Sequence, residues 1–160
     1  SALDAQLMYG ILLGEINFQL GDAGDGTGYI LEAARLSGDE ALYERAADMA
    51  IQAQSADLAL QVTRAWHEAE PDSLTAVRYE LQVLLATGQV AATEAPLQQL
   101  MQTLPDEEKT ALITAMPAFF EHAPSQEEAA EIVEQVLAGA TEDPKFAAAA
   151  WTSATTASSP

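Results

Sequence analysis

The run Gly24-Asp25-Gly26-Thr27-Gly28 is the densest glycine cluster in the chain and has the look of a loop that cradles an anion. A phosphate cradle needs bare backbone amides at a helix start, commonly with a lysine, because its ligand is negatively charged. Here Asp22 and Asp25 flank the amides, no basic residue is within reach, and the spacing is not G-x-G-x-x-G. The run also fails as a calcium loop. Counted from Asp22, the third, sixth and twelfth places hold Gly24, Thr27 and Ala33, where an EF-hand needs an oxygen ligand, a glycine and a glutamate. An adjustable turn between two helices fits the cluster better.

Other reactive side chains are equally isolated. His67 stands between Trp66 and Glu68, as a solvated residue on a helix would. His122 ends an apolar-periodic run, where a donor suits the free carbonyls. No H-E-x-x-H, no G-x-S-x-G and no cysteine is present, so neither histidine has a triad or a metal set to join. Glu68/Glu70, Glu107/Glu108 and Glu127/Glu128 are paired carboxylates. Acid–base work needs two carboxylates in different environments, whereas most of these fall in first helical turns and offset the helix dipole. The expectation is a non-enzyme with no cofactor, no metal site and no catalytic residue.

The elements around these residues are helical. The 160 residues suit one domain, able to bury ~70% of the unfolded surface without disulfides. The chain is alanine-rich and poor in Val, Thr and aromatics, which favours helix over sheet. Six basic against 25 acidic residues give a net charge of −19. Arg35, Arg45, Arg64, Arg78, Lys109 and Lys145 are scattered, so no basic patch could neutralise nucleic-acid phosphates or approach an anionic bilayer. No apolar run reaches the ~20 residues of a membrane span, so direct membrane insertion is not expected. A start at Ser1-Ala2 reads as a processed or trimmed N-terminus.

Several features recur at nearly one interval. Pro71 and Pro105 are 34 residues apart, and Gly14, Ala47, Leu81 and Ala115 follow at 33, 34 and 34. Gly21 and Gly88 each fall seven residues after such a position, where a helix should turn back. Asp39, Ser73 and Asp106 are placed to cap helices, and Ser125-Gln126-Glu127-Glu128 reads as a capping box. Thr93 should cap a helix with Pro96 in its first turn, and Asp143-Pro144 should open a last helix. Gly24, Gly26 and Gly28 predict a late start near Thr27 or Tyr29 for the second helix. Pro117 predicts a kink through loss of the bond to the Ile113 carbonyl, and the small polar residues from Thr152 predict fraying.

The period of 34, with Leu13-Gly14-Glu15-Ile16-Asn17-Phe18-Gln19-Leu20-Gly21-Asp22, resembles the tetratricopeptide repeat (TPR) family. Arg45-Ala46-Ala47-Asp48, Trp66, Pro71-Asp72-Ser73, Thr110–Glu121 and Phe146–Trp151 look like a group of proteobacterial TPR proteins. The resemblance implies an all-α, right-handed superhelical solenoid of antiparallel helix–turn–helix repeats. The register gives one domain with repeats at about 7–39, 40–73, 74–107 and 108–142. A partial repeat or terminal helix follows at 143–153, then a frayed tail at 154–160, and the natural protein is expected to continue. The group also points to a bacterial envelope location, periplasmic or lipid-anchored, ahead of the cytoplasm.

In this family the first helices line a concave groove that contacts a peptide or helix. Carried over by register, an apolar row runs through Phe18, Ile51, Leu85 and Phe119. Beside it lie Glu15, Asp48, Gln82 and Met116, and on another row Ile11, Glu44, Arg78 and Leu112. The plain alternative is that the apolar row packs under neighbouring second helices. Glu15, Glu44 and Asp48 stand where carboxylate-clamping modules carry Lys, Arg or Asn, so a chaperone C-terminus is disfavoured. A segment with basic residues beside hydrophobic anchors fits instead. Trp66 reads as a core anchor between repeats, with Tyr29, Tyr43 and Tyr79 packing similarly. The expectation is a protein-binding scaffold with a protein or peptide partner. The alternative is a module that self-assembles, for instance as a homodimer, through uncovered helix ends. The acidity itself reads either as steering of a basic partner or as adaptation to salt.

Overall fold

The computed structural model describes residues 1–140 and 142–158. Among them are nine α-helices and a short 3-10 turn, with no strand, so the all-α expectation holds. The chain divides into two compact units, Ser1–Val83 and Leu84–Pro160.

In the first unit α1 (Ala2–Gln19) packs on α2 (Ala23–Ser37), α2 on α3 (Glu40–Gln52), and α3 on α4 (Ala56–Ala69). Next comes α5 (Leu74–Ala86), which begins in this unit. The core joins Ile30, Leu31 and Ala34 of α2 to Tyr43, Ala46 and Met49 of α3, with Val62 and Trp66 of α4 and Ala76 of α5. Trp66 is fully buried, as expected of a core anchor, and its ring lies 5.1 Å from that of Tyr79. Its indole N–H would be costly to bury unpaired, and it donates to Glu40 Oε1 at 3.2 Å. The Ser73 hydroxyl donates to the same oxygen while accepting the Ala76 amide at 3.1 Å, so Ser73 also caps α5. Tyr43 is buried like Trp66, but Tyr29 is exposed and does not share the packing role expected of it.

The glycine cluster is helical, not a turn. Capped by Asp22, whose Oδ1 accepts the Asp25 amide at 3.0 Å, α2 starts at Ala23, one turn earlier than glycine propensity suggests. Close approach explains the difference. A Cβ on Gly26 would stand 2.8 Å from the Gly14 carbonyl oxygen and from the Phe18 amide nitrogen, and one on Gly14 would meet Ile30 at 2.7 Å. The two backbones can touch only where both residues lack side chains, and this packing outweighs a cost of about 1 kcal/mol per helical glycine. Gly21 and Gly88 do sit in turns, with φ of +90° and +71°.

The second unit contains the 3-10 turn Ala91–Thr93, α6 (Glu94–Thr103), α7 (Asp106–Phe119), α8 (Gln126–Leu137) and α9 (Ala147–Ser158). Here α9 packs on α7 and α8, and α6 on α8, burying Leu97, Ile113, Met116, Val133, Leu137 and Ala150. Asp39 and Ser125 cap as expected, accepting the Ala41 and Glu128 amides at 3.0 and 3.2 Å. Others do not. The α7 N-cap is Pro105, and Asp106 falls inside the first turn, its carboxylate accepting from Lys145 at 3.1 Å. Thr93 turns its buried hydroxyl back to the Val90 carbonyl at 2.6 Å, because the 3-10 turn leaves its backbone already helical. Asp143 carries a turn, accepting the Lys145 amide at 3.0 Å, so α9 starts at Ala147 and not at Pro144.

Pro117 lies two residues before the end of α7, so the bond its ring removes is among the last of the helix. Beyond Thr152, where fraying was expected, α9 continues to Ser158. The hydroxyls of Thr152, Thr155 and Thr156 bond back to carbonyls four residues earlier, at 3.0, 2.8 and 2.8 Å. Ser159 and Pro160, the end of the expected frayed tail, lie outside the described residues.

The glycines of α2 make opposite predictions. Gly28 has open space where a Cβ would go, so Gly28→Ala should stabilise by about 0.5–1 kcal/mol through helix propensity. Gly26→Ala should destabilise by about 1–3 kcal/mol, because the obstructing atoms are backbone. Urea unfolding of the two variants beside wild type checks both signs.

Candidate functional site

The expected binding residues of the first unit sit on α1, α3 and α5, and the structure sorts them into two polar clasps and an apolar strip. The first clasp joins successive first helices. Arg45 of α3 reaches Glu15 of α1 with two parallel bonds, Nε to Oε1 and Nη2 to Oε2, both 2.8 Å. The same guanidinium lies 5.7 Å from the centroid of the Phe18 ring, so one cation serves a carboxylate and an aromatic face. The hydrogen bond from Arg45, and then its charge, hold the Glu15 carboxyl below its usual value against partial burial, which acts the other way. The bond to Glu15 also raises the Arg45 pKa. Glu15 is therefore not the open acidic group that its row position suggested.

The second clasp lies one repeat further on. The Tyr79 hydroxyl of α5 donates to Asp48 Oδ1 at 2.7 Å and contacts Glu44 Oε1 at 3.2 Å, both on α3. Burial, followed by the bond to Asp48, raises the Tyr79 pKa well above that of an ordinary phenol, so the ring stays a donor at any physiological pH. Unlike Arg45 it brings no positive charge. Asp48 is exposed and Glu44 half-buried, and Asp48 also lies within electrostatic reach of Arg45, whose pKa it helps to raise. The two clasps are the same contact in register, since Glu15 and Asp48 are 33 residues apart and Arg45 and Tyr79 are 34.

Around the clasps, Ile11, Phe18 and Ile51 are half-buried, while Arg78 and Gln82 are exposed on α5. Ile11 and Phe18 pack against the main core, and Ile51 against Ala50, Ala59 and Val83. The packing alternative is thus partly realised: these side chains touch the core and still offer an accessible edge. In the second unit Leu85 and Phe119 line one surface cavity of about 560 Å³, together with Gly88, Phe120, His122 and Pro124. Met116 is fully buried and drops out of the groove row, whereas Leu112 is half-buried. A larger cavity of about 790 Å³ lies among α7, α8 and α9, with Pro117, Phe120, Ala129 and Ser153 in its lining.

His67 is not the free solvated residue expected. Its Nδ1 lies 2.7 Å from Glu80 Oε2, tying α4 to α5 in a half-buried pair. Residue types along the chain did not reveal Arg45, Tyr79 or Glu80 as partners. The available signal was register: each clasp joins one first helix to the position one turn earlier on the next. Among the described residues no group of three or more His, Asp or Glu side chains is placed to hold a metal ion. No described helix is long and apolar enough to cross a membrane.

The clasps differ in their response to pH. Glu15, with its lowered pKa, contributes stability that is complete above the unfolded carboxyl pKa of about 4 and is lost as pH falls through the lower folded value. Because both side chains are about one-third exposed, water screens the pair, and a double-mutant cycle of Glu15→Gln with Arg45→Met should give a coupling of only about 1 kcal/mol at pH 7. Urea denaturation should show that coupling shrinking below pH of about 4.

No family model matches the chain, nor does any curated protein. Among solved structures it is similar to MamA, residues 41 to the end, from Desulfovibrio magneticus RS-1, a protein containing tetratricopeptide repeats. The TM-score is 0.53 at 14% identity, over 94% of this chain and 90% of that one. At that identity the likeness is one of fold, and it identifies the architecture as a TPR-like all-α helical repeat.

Proposed function

We propose that this chain is a non-catalytic protein-interaction scaffold whose first unit binds a peptide or helix carrying basic residues beside hydrophobic anchors. The observation that carries this reading is the pair Glu44 and Asp48. Both are oriented by one uncharged phenol, and half-buried Ile51 lies three residues beyond Asp48 on the same helix. Carboxylates held in place beside apolar surface favour a Lys or Arg next to an aliphatic or aromatic anchor, because neither group need be reorganised on binding. The net charge of −19 would add long-range attraction for such a segment. In the second unit, considered by itself, Leu85 and Phe119 line a cavity proposed to take an apolar side chain. The structural similarity supports a repeat scaffold in general, and the clasp geometry supports a preference for basic segments.

Selection of a random peptide library on the full chain tests the reading. Enriched sequences should combine Lys or Arg with Leu, Ile or Phe, and their affinity should fall as salt rises. Glu44→Gln with Asp48→Asn should weaken the best peptide about tenfold or more by fluorescence anisotropy, the loss of two charge-assisted contacts. Glu15→Gln should change it little, since that carboxylate is already bound to Arg45. Enrichment of acidic peptides, or affinity indifferent to Glu44 and Asp48, would overturn the proposal.

A further inference from the structure

The outer face of α1 is the largest anomaly on the molecule. Tyr9, Leu12, Ile16 and Leu20 fall three, four and four residues apart, so they share one side of the helix and its cap, with Met8 at the edge. All five are exposed, from 53% for Ile16 to 79% for Leu20. The register partners of Tyr9, Leu12 and Ile16 are covered. Moved on by 33 residues, Tyr9, Leu12 and Ile16 become Leu42, Arg45 and Met49, and by 67 residues Ala76, Tyr79 and Val83. Met49, Ala76 and Val83 are buried, and Leu42 and Tyr79 pack on the core against neighbouring helices. The stripe that the later first helices bury is therefore bare on α1, although its residues are as apolar as theirs.

We infer that this stripe is a self-association surface, paired with the same stripe of a second copy in an antiparallel α1–α1 contact. Three observations select that occupant. Met8, Leu12, Ile16 and Leu20 are spaced symmetrically about position 14, so a two-fold axis there sets Leu12 against the partner's Ile16 and Met8 against the partner's Leu20. The five side chains present on the order of 600 Å², the share each partner contributes at the lower bound of stable interfaces. Charge selects too. The stripe holds no ionisable carboxylate or ammonium, and α1 as a whole carries only Asp4 and Glu15, the latter bound to Arg45. A basic partner finds nothing to pair with on this face. A lipid surface is disfavoured as well, because α1 itself carries no Lys or Arg and interfacial helices use such residues.

The test is the mass of the full chain by sedimentation equilibrium across micromolar concentrations. Wild type should approach twice 16.9 kDa, and more readily at high salt, because screening relieves repulsion between two copies of charge −19. That salt dependence is opposite to the one expected for the acidic peptide site, so the two proposals fail separately. Leu12→Glu with Ile16→Glu should raise the dimer dissociation constant at least about thirtyfold, with helicity retained by circular dichroism. Leu12→Ala with Ile16→Ala repeats the measurement with good helix formers, should the charged pair disturb folding. Trp151→Glu, at another exposed apolar residue, should leave the dimer intact. Three results would overturn the inference: a monomer at all concentrations and salts, a dimer lost through Trp151→Glu but not through the α1 variants, or a monomer that binds zwitterionic lipid vesicles through α1.

Discussion

A first helix in this fold has to satisfy two neighbours at once, its own second helix on one side and the preceding hairpin on the other. The 3.6-residue turn leaves two apolar stripes for that purpose, and the 33–34-residue interval brings them back in register. The α1–α2 contact meets the first demand by the closest means available, backbone against backbone at Gly14 and Gly26. Met49, Ala76 and Val83 meet the second, filling space against the helices around them. Much else follows from keeping that register, including the burial of Trp66 beneath Tyr79 and the direction in which each first helix presents its polar side.

Polar groups enter this scheme as partners of the packing. Glu40 accepts from both Trp66 and Ser73, so the largest buried ring and the cap of the next first helix depend on one carboxylate. A single change at Glu40 would leave an indole N–H unpaired in the core and weaken the start of α5 together. The clasps work at the surface in the same manner. Arg45 and Tyr79 occupy one register position, yet one brings a positive charge to its carboxylate partner and the other only a neutral donor. The charge pattern of the candidate site is thus decided by what each carboxylate bonds to, and counting acidic residues alone misplaces it.

The same logic links the two surfaces proposed here. The proposed peptide site needs charge held in place, and Tyr79 orients Glu44 and Asp48. The α1 stripe needs the opposite, an apolar face free of charge in an otherwise acidic chain. Opposite salt dependences belong to the two surfaces because one works by attraction between unlike charges and the other despite repulsion between like ones.

Periodic apolar positions, the 34-residue spacing of Pro71 and Pro105, and the caps at Asp39, Ser73 and Ser125 depend on neighbours close in the chain. The sequence by itself therefore determined the helical class and several of the helix starts. Where it misled, tertiary contact overrode a local preference. Three glycines should have delayed α2, but the missing side chain of one of them, Gly26, is what lets α1 approach. Thr93 and Asp106 have the right type for caps, yet Thr93, at the N-cap of α6, turns its hydroxyl back to Val90, and Pro105 takes the N-cap of α7. Only the tertiary structure decided which carboxylates are spent, because Glu15 finds Arg45 thirty residues away and Asp48 finds Tyr79 thirty-one residues away. Side-chain pairing across helices depends on crossing geometry and rotamer, and neither is written in the order of residue types.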